Sequence, residues 1–219
     1  MDPHTKSYVA FFDLDKTILS INSGTVLVRE SYKNGFMRTS DLLNAVFLSL
    51  LYKFHLRDTA TIILGMGKWL KGLTVDEVNV LSKQIVNTHL INAIRPQIFS
   101  EIKFHRQNNA EVVILSSVIY HICKPLGYYL GFDNLICTTM EVIDGVFTGR
   151  PEKKFCFDDE KRVRLIEYCE VRNYSLSESY YYGDSISDFP ALEVVGHPVC
   201  VSPDKKLARI ARKRDWRVI

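Results

Sequence analysis

Two aspartates stand two residues apart in YVAFFDLDKTIL, directly behind an apolar run. Tyr8 to Phe12 reads as a short buried strand, aromatic and β-branched, without Gly or Pro. Asp13 and Asp15 fall at its carboxyl end, and in an extended chain residues i and i+2 point to the same side. Two carboxylates about 4 Å apart repel by roughly 4 kcal/mol at an effective dielectric near 20. A further acidic pair, Asp184 and Asp188, sits in SYYYGDSISD, and Ser116 and Ser117 close NNAEVVILSS. If these groups converge, the repulsion grows severalfold. The one cation expected there, Lys161 in CFDDEKRVRL, cannot offset it. Either part of the cluster is protonated or a multivalent cation sits in it. Oxygen ligands without a His cluster point to Mg²⁺, which takes one or two carboxylates, waters and a phosphate.

Convergence requires strands that end along one edge. After the first strand comes a long helical stretch, about residues 23–105. Ser40 and Asp41 start a helix through LLNAVFLSLLYKFHL, apolar almost all round. Thr74 and Glu77 carry a capping-box signature, and Pro96 suits the first turn of another helix. A strand follows over Val112 to Leu115, then a helix over Val118 to Tyr129 that Pro125 is expected to kink or end. NLICTT reads as a strand, and EVIDGVFTG as a hairpin turning at Asp144-Gly145. Asp158 to Val171 reads as a helix, SYYYGDS as a strand and Ser187 to Val195 as a helix closed by Gly196. PVCVSPD gives a last strand, with a helix from Pro203 onward. Alternating strands and helices predict a doubly wound α/β fold with a parallel sheet. The helical block is too long for one crossover. It is expected to form a cap over residues 22–105, inserted into a core of residues 1–21 and 106–219. In open α/β sheets ligands bind outside the carboxyl ends of the strands, where Asp13, Asp15, Ser116, Ser117, Asp184 and Asp188 all fall.

The chain has 219 residues, 47% of them apolar, enough for a sizeable core. A net charge of +3 is too small to argue for a nucleic-acid partner, and none is expected. No apolar run is long enough to span a bilayer, and residues 1–7 lack the apolar stretch of a signal peptide. The five cysteines, Cys123, Cys137, Cys156, Cys169 and Cys200, are scattered without a CxxC pair. They read as reduced buried thiols in a cytoplasmic protein. The basic tail helix (Lys205, Lys206, Arg209, Arg212, Lys213) reads as a solvated face, with membrane-surface contact the minor alternative. The apolar helix over 42–56 reads first as cap core, with a homodimer contact or a surface for a lipid-like substrate as alternatives.

Taken in order, DLDKT, VVILS, Lys161 and GDSISD resemble the four motifs of the haloacid dehalogenase superfamily of phosphatases. The cap placed after the first motif resembles that of the phosphoserine-phosphatase-like branch, and the tail GHPVCVSPDKKLARIARKRDW resembles its subfamily IB hydrolases. The resemblance implies a Mg²⁺-dependent phosphomonoesterase acting on a small phosphorylated metabolite. Asp13 would be the nucleophile and Asp15 the general acid and base. Asp13, the Asp15 backbone carbonyl and Asp184 would bind the metal. Ser116 and Lys161 would hold phosphoryl oxygens. Ser117 is a further phosphate-site candidate, although a helix N-cap is the simpler reading of it. Thr17 would fix the loop of Asp13, Ser185 would orient a metal water, and Asp188 would position Lys161. Phosphoserine phosphatases carry a Glu that reads the substrate's amine; the matching residue is Asn22, so that specificity is not carried over. A phosphotransferase of the same superfamily and a non-enzymatic phospho-acceptor (receiver-like) module are the rival readings.

Overall fold

The computed structural model describes residues 6–53, 65 and 67–219. Its centre is a six-stranded sheet in the order β3-β2-β1-β6-β7-β8. The strands are β1 (Val9–Phe12), β2 (Glu111–Ile119), β3 (Asn134–Thr138), β6 (Tyr180–Gly183), β7 (His197–Cys200) and β8 (Arg217–Val218). All neighbouring pairs run parallel. The doubly wound α/β expectation is borne out. The strand order reverses between β1 and β6, so a ligand crevice is expected at the carboxyl ends of these two.

Alternation along the strands divides the core. Val9 and Phe11 of β1, Val113 and Leu115 of β2 and Tyr181 of β6 line one face. That face is covered by α6 (Asp159–Arg172), the short α7 (Phe189–Leu192) and α8 (Lys205–Arg214). Ala10, Phe12, Val112, Ile114 and Tyr182 line the other, under α4 (Pro96–Gln107) and α5 (Tyr120–Leu130). Phe12 and Tyr182 stack there with ring centroids 4.4 Å apart.

Between β1 and α4 lie α1 (Ser23–Lys33), α2 (Thr39–Lys53) and α3 (Val75–Ile85), the last extended by irregular turns to Ala93. The predicted capping box starts α3: Thr74 Oγ1 accepts from the Glu77 amide while Glu77 accepts from the Thr74 amide. The two ends of this stretch are tied to each other. Ser20 N–H donates to Ala93 O at 2.8 Å, and Arg95 N–H to Ile18 O at 2.9 Å. Beyond that neck, α4 lies on the sheet through Ile98, Ile102 and His105. The hairpin of β4 (Met140–Ile143) and β5 (Val146–Pro151) packs Met140 and Phe147 against Leu70 and Val78.

Several expectations change. β2 runs on to Ile119, so the next helix starts at Tyr120 rather than Val118. Helix α5 also continues through Pro125, because Ile122, Cys123, Leu126 and Leu130 are buried on both sides of it and their packing offsets the lost hydrogen bond. Ser187 to Val195 is a 3₁₀ turn, Ile186–Asp188, followed by four residues of α7. The apolar helix is not core throughout: in α2, Leu48 is buried but Leu43, Val46 and Phe47 are exposed. Residues 54–56 of the expected helix lie outside the described residues. Among the described residues no helix is long and apolar enough to cross a membrane.

Candidate active site

Parity along β1 decides where Asp13 points. Phe11 faces the α6 side of the sheet, and two residues on Asp13 faces the same way. It is buried at the end of the strand, its amide donating to Tyr182 O at 2.9 Å. Helix α6 begins with Lys161 in its first turn, and Leu165 and Cys169 bury the same stripe against the sheet. The lysine therefore reaches inward, and its Nζ donates to Asp13 Oδ1 at 2.7 Å across 148 residues of sequence. The same Nζ donates to Asp188 Oδ1 at 2.7 Å. The sequence reading that Asp188 positions Lys161 thus corresponds to a direct ion pair.

Asp184 follows β6 by one residue. One carboxylate oxygen each from Asp13, Asp184 and Asp188 lies within 4.8 Å of the others. Gly183 permits this approach, since a Cβ there would sit 2.7 Å from Asp188 Cβ and 2.8 Å from its Cγ. The loop after β6 is braced from below. Asp204 donates its amide to Asp184 O and accepts from Ile186 N–H through Oδ2, while Oδ1 caps α8.

The four charges are not equivalent. Burial alone would raise Asp188, but Lys161, Tyr181 and the Ser185 amide hold it below the usual carboxylate range. Its Oδ2 accepts from the amides of Asp184 and Ser185 and from the Ser185 hydroxyl, each at 3.2 Å. Burial pushes Asp13 up to about 7; Lys161 opposes the rise, while Asp188 and Asp15 add to it. Burial, then Asp188 and Asp13, push Asp184 up to about 8. Burial works against the Lys161 charge, yet Asp13 and Asp188 hold the ammonium well above its ordinary range. Asp13 and Asp184 are thus two hard-oxygen donors whose ionisation burial opposes, that of Asp13 only partly offset by Lys161. That donor set fits a divalent cation such as Mg²⁺.

Asp15 is aimed elsewhere. Backbone geometry breaks at Asp15 and Lys16, the latter at φ 59°. Asp15 Oδ1 accepts from the Ser23 amide at 2.8 Å, at the first residue of α1. Burial raises its pKa, and the Ser23 and Gly24 hydrogen bonds oppose the rise. Asn22 is spent on the same helix: its side-chain oxygen accepts from the amide and hydroxyl of Thr25.

Ser116 is buried in β2, two residues past Ile114, which pairs with Phe12; its hydroxyl accepts from Val118 N–H at 3.4 Å. Ser117 is a half-buried strand residue and not a cap, since Ile119 occupies the N-cap position of α5. Thr17 is buried, and among the described residues its hydroxyl has no hydrogen-bond partner. Tyr181 is a site residue the sequence reading missed: its hydroxyl donates to Asp188 Oδ1 at 2.7 Å and lies 3.2 Å from Lys161 Nζ. Strand parity held the signal, because it places Tyr181 on the Asp13 face and Tyr182 on the opposite one.

Residues 10–193 match the family model for haloacid dehalogenase-like hydrolases. The chain belongs to this family. It is 31% identical over 218 residues to the "inhibition of morphological differentiation protein" of Streptomyces azureus, covering 96% of this chain and 77% of that one. It is 30% identical over 217 residues to a probable phosphatase of Mycobacterium tuberculosis (strain ATCC 25618 / H37Rv), covering 96% and 74%. Among solved structures, a Bordetella pertussis protein of unknown function superposes with a TM-score of 0.90 at 24% identity, covering 98% of this chain and 99% of that one.

Proposed function

We propose that this hydrolase is a Mg²⁺-dependent phosphomonoesterase that works through an aspartyl-phosphate on Asp13. The single observation that carries the reading is the convergence of Asp13, Asp184, Asp188 and Lys161 at the switch point of the sheet. Asp13 attacks phosphorus, forming a carboxylate O–P bond as the ester O–P bond breaks. Asp15, raised by burial and held at the start of α1, gives its proton to the departing alcohol oxygen. It then takes a proton from water, whose oxygen attacks phosphorus and breaks the Asp13–phosphorus bond. Lys161 offsets charge on the phosphoryl oxygens, and Ser116 binds one of them. Asp13, the Asp15 backbone carbonyl and Asp184 would hold the metal, which when bound supplies a counter-charge to the phosphoryl group. Ser185, between Asp184 and Asp188, orients water at that site, and Thr17 fills the loop under Asp13.

Of the cap expected over residues 22–105, the part before Pro96 is read as the lid that closes over the substrate, since the helix from Pro96 packs on the sheet. A small phosphorylated metabolite in the cytoplasm suits a chain with this cap and a near-neutral charge. The tie from Asp15 to the first helix of that stretch favours the hydrolase over a receiver-like acceptor, which has no need of a second acid there. Water and a second substrate as phosphoryl acceptors are separated by assay. Purified protein with Mg²⁺ and a panel of phosphorylated metabolites should release inorganic phosphate over many turnovers. A single stoichiometric phosphorylation would favour the acceptor module, and transfer without phosphate release the phosphotransferase. Asp13→Asn should lower phosphate release by roughly a thousandfold or more while keeping the fold; near-normal turnover in that variant would remove the nucleophile assignment.

A further inference from the structure

We propose that Tyr181 is a positioning residue that holds Lys161 at Asp13. The proposal rests on the hydrolase reading only for its kinetic consequences. An ammonium has three N–H donors. Lys161 Nζ has three partners: Asp13 Oδ1 at 2.7 Å, Asp188 Oδ1 at 2.7 Å and Tyr181 Oη at 3.2 Å. The phenol has one proton, and it goes to Asp188 Oδ1 at 2.7 Å, because a carboxylate only accepts. The free lone pairs of Oη are then turned to the ammonium. Lys161, Asp188 and Tyr181 form a closed ring in which every edge is a hydrogen bond. The two ion pairs alone would leave the ammonium free to rotate about the line joining Asp13 Oδ1 and Asp188 Oδ1; the contact with Tyr181 removes that freedom.

Packing gives no reason for the hydroxyl. Tyr181 is fully buried among Val9, Phe11, Val113 and Leu115 of the sheet and Leu165 of α6. A phenylalanine would fill the same space without desolvating an O–H. A buried hydroxyl costs stability unless partnered, and both of its partners are site charges. Asp188 is complementary: its second oxygen is anchored by the Asp184 and Ser185 amides and the Ser185 hydroxyl. The anchor is therefore fixed to the loop after β6, and Tyr181 carries that fixity to the lysine.

Tyr181→Phe removes the hydroxyl and keeps the ring, and its melting curve checks that the fold is retained. With Mg²⁺ and p-nitrophenyl phosphate, kcat should fall roughly ten- to a hundredfold, the scale of a small misplacement of a charged group, with KM changed about twofold or less. In the double variant Tyr181→Phe/Asp188→Asn, the loss should be no larger than for Asp188→Asn alone, because both act through Lys161. A wild-type kcat in Tyr181→Phe, or losses that multiply in the double variant, would overturn the proposal. Wild-type protein that does not turn over this ester counts against the hydrolase reading, and the ring is then judged without catalysis. In protein labelled with ¹⁵N at lysine Nζ, one ammonium resonance should be protected from exchange, absent in Lys161→Met and lost or broadened in Tyr181→Phe. An undiminished resonance in Tyr181→Phe, or none in the wild type, refutes the placement.

Discussion

Asp188 lies close enough to Asp13 and Asp184 to pass for a third metal ligand, yet its oxygens are already committed. One accepts from Lys161 and Tyr181 and the other from three donors of the Asp184–Ser185 segment. Its charge serves the lysine, and under the proposed function the carboxylates of Asp13 and Asp184 are the ones that would hold a cation. Gly183 makes this division feasible. Adding a Cβ would place it 2.7 Å from Asp188 Cβ and 2.9 Å from a ring carbon of Tyr181, and both neighbours are pinned by hydrogen bonds. Gly183→Ala should destabilise the protein by about 1–3 kcal/mol, the usual cost of overpacking, and should lower activity more than a remote substitution of equal thermodynamic cost. Denaturant unfolding and a kcat measurement on the same sample check both. The residue types at the site were legible because charge repulsion makes DLD and GDSISD improbable as mere turns. Tyr181 was not legible as a site residue, because a tyrosine in YYYG reads equally as core, and only strand parity combined with the position of α6 reveals its partner.

At the scale of elements, legibility followed the strength of the local signal. The box at Thr74 and Glu77, Pro96 at a helix start and Asp144-Gly145 in a hairpin turn are set by nearest neighbours, and each element lies where its local chemistry requires. The end of β2 was misread because Ser116 and Ser117 look like a stop, whereas pairing with β3 resumes at Ile119 and Thr138 after a register shift. Helix α4 illustrates what no local pattern shows. Its His105 is buried between Tyr8 and Tyr182, with Nδ1 2.9 Å from one hydroxyl and Nε2 2.8 Å from the other. Tyr182 gives its proton to Glu101, which also pairs with Arg217, so Nε2 must donate and Nδ1 must accept. Burial pushes His105 down to about 4; Glu101 opposes the fall, and Arg217 and His197 add to it. Tyr180 also packs edge-on against the ring. A depressed pKa means that the imidazole stabilises the fold when neutral. The contribution is complete above the ordinary value near 6.5 and is lost as pH falls through about 4. His105→Gln should show a shallower loss of stability over that window than the wild type, measured by unfolding at a series of pH values; parallel curves would contradict the neutral assignment.

The molecule as a whole joins parts that are remote in sequence at a single crevice, and this joining crowds carboxyl groups whose ionisation burial opposes. Asp13 and Asp184 end adjacent strands, and the sheet that aligns them also crowds their charges. Lys161 is shared with Asp188 and cannot neutralise both. Under the proposed function the protein should gain stability from Mg²⁺, because the ion would bind the folded site and has no equivalent in the unfolded chain. At a free concentration a hundred times Kd, the gain for one site is about 2.7 kcal/mol. Asp184→Asn separates this linkage from ordinary packing. It removes a buried carboxyl whose ionisation the folded site opposes, its pKa pushed up to about 8, so the variant without metal avoids the cost of protonating that group on folding and should be at least as stable as the wild type at neutral pH. It also removes a ligand, so the Mg²⁺-induced rise in melting temperature should shrink or vanish. Thermal unfolding of both proteins in EDTA and across a Mg²⁺ titration gives the four curves needed. Equal Mg²⁺ shifts in the two proteins would mean that the ion binds elsewhere, and a strongly destabilised metal-free variant would mean that Asp184 serves the fold rather than the cation.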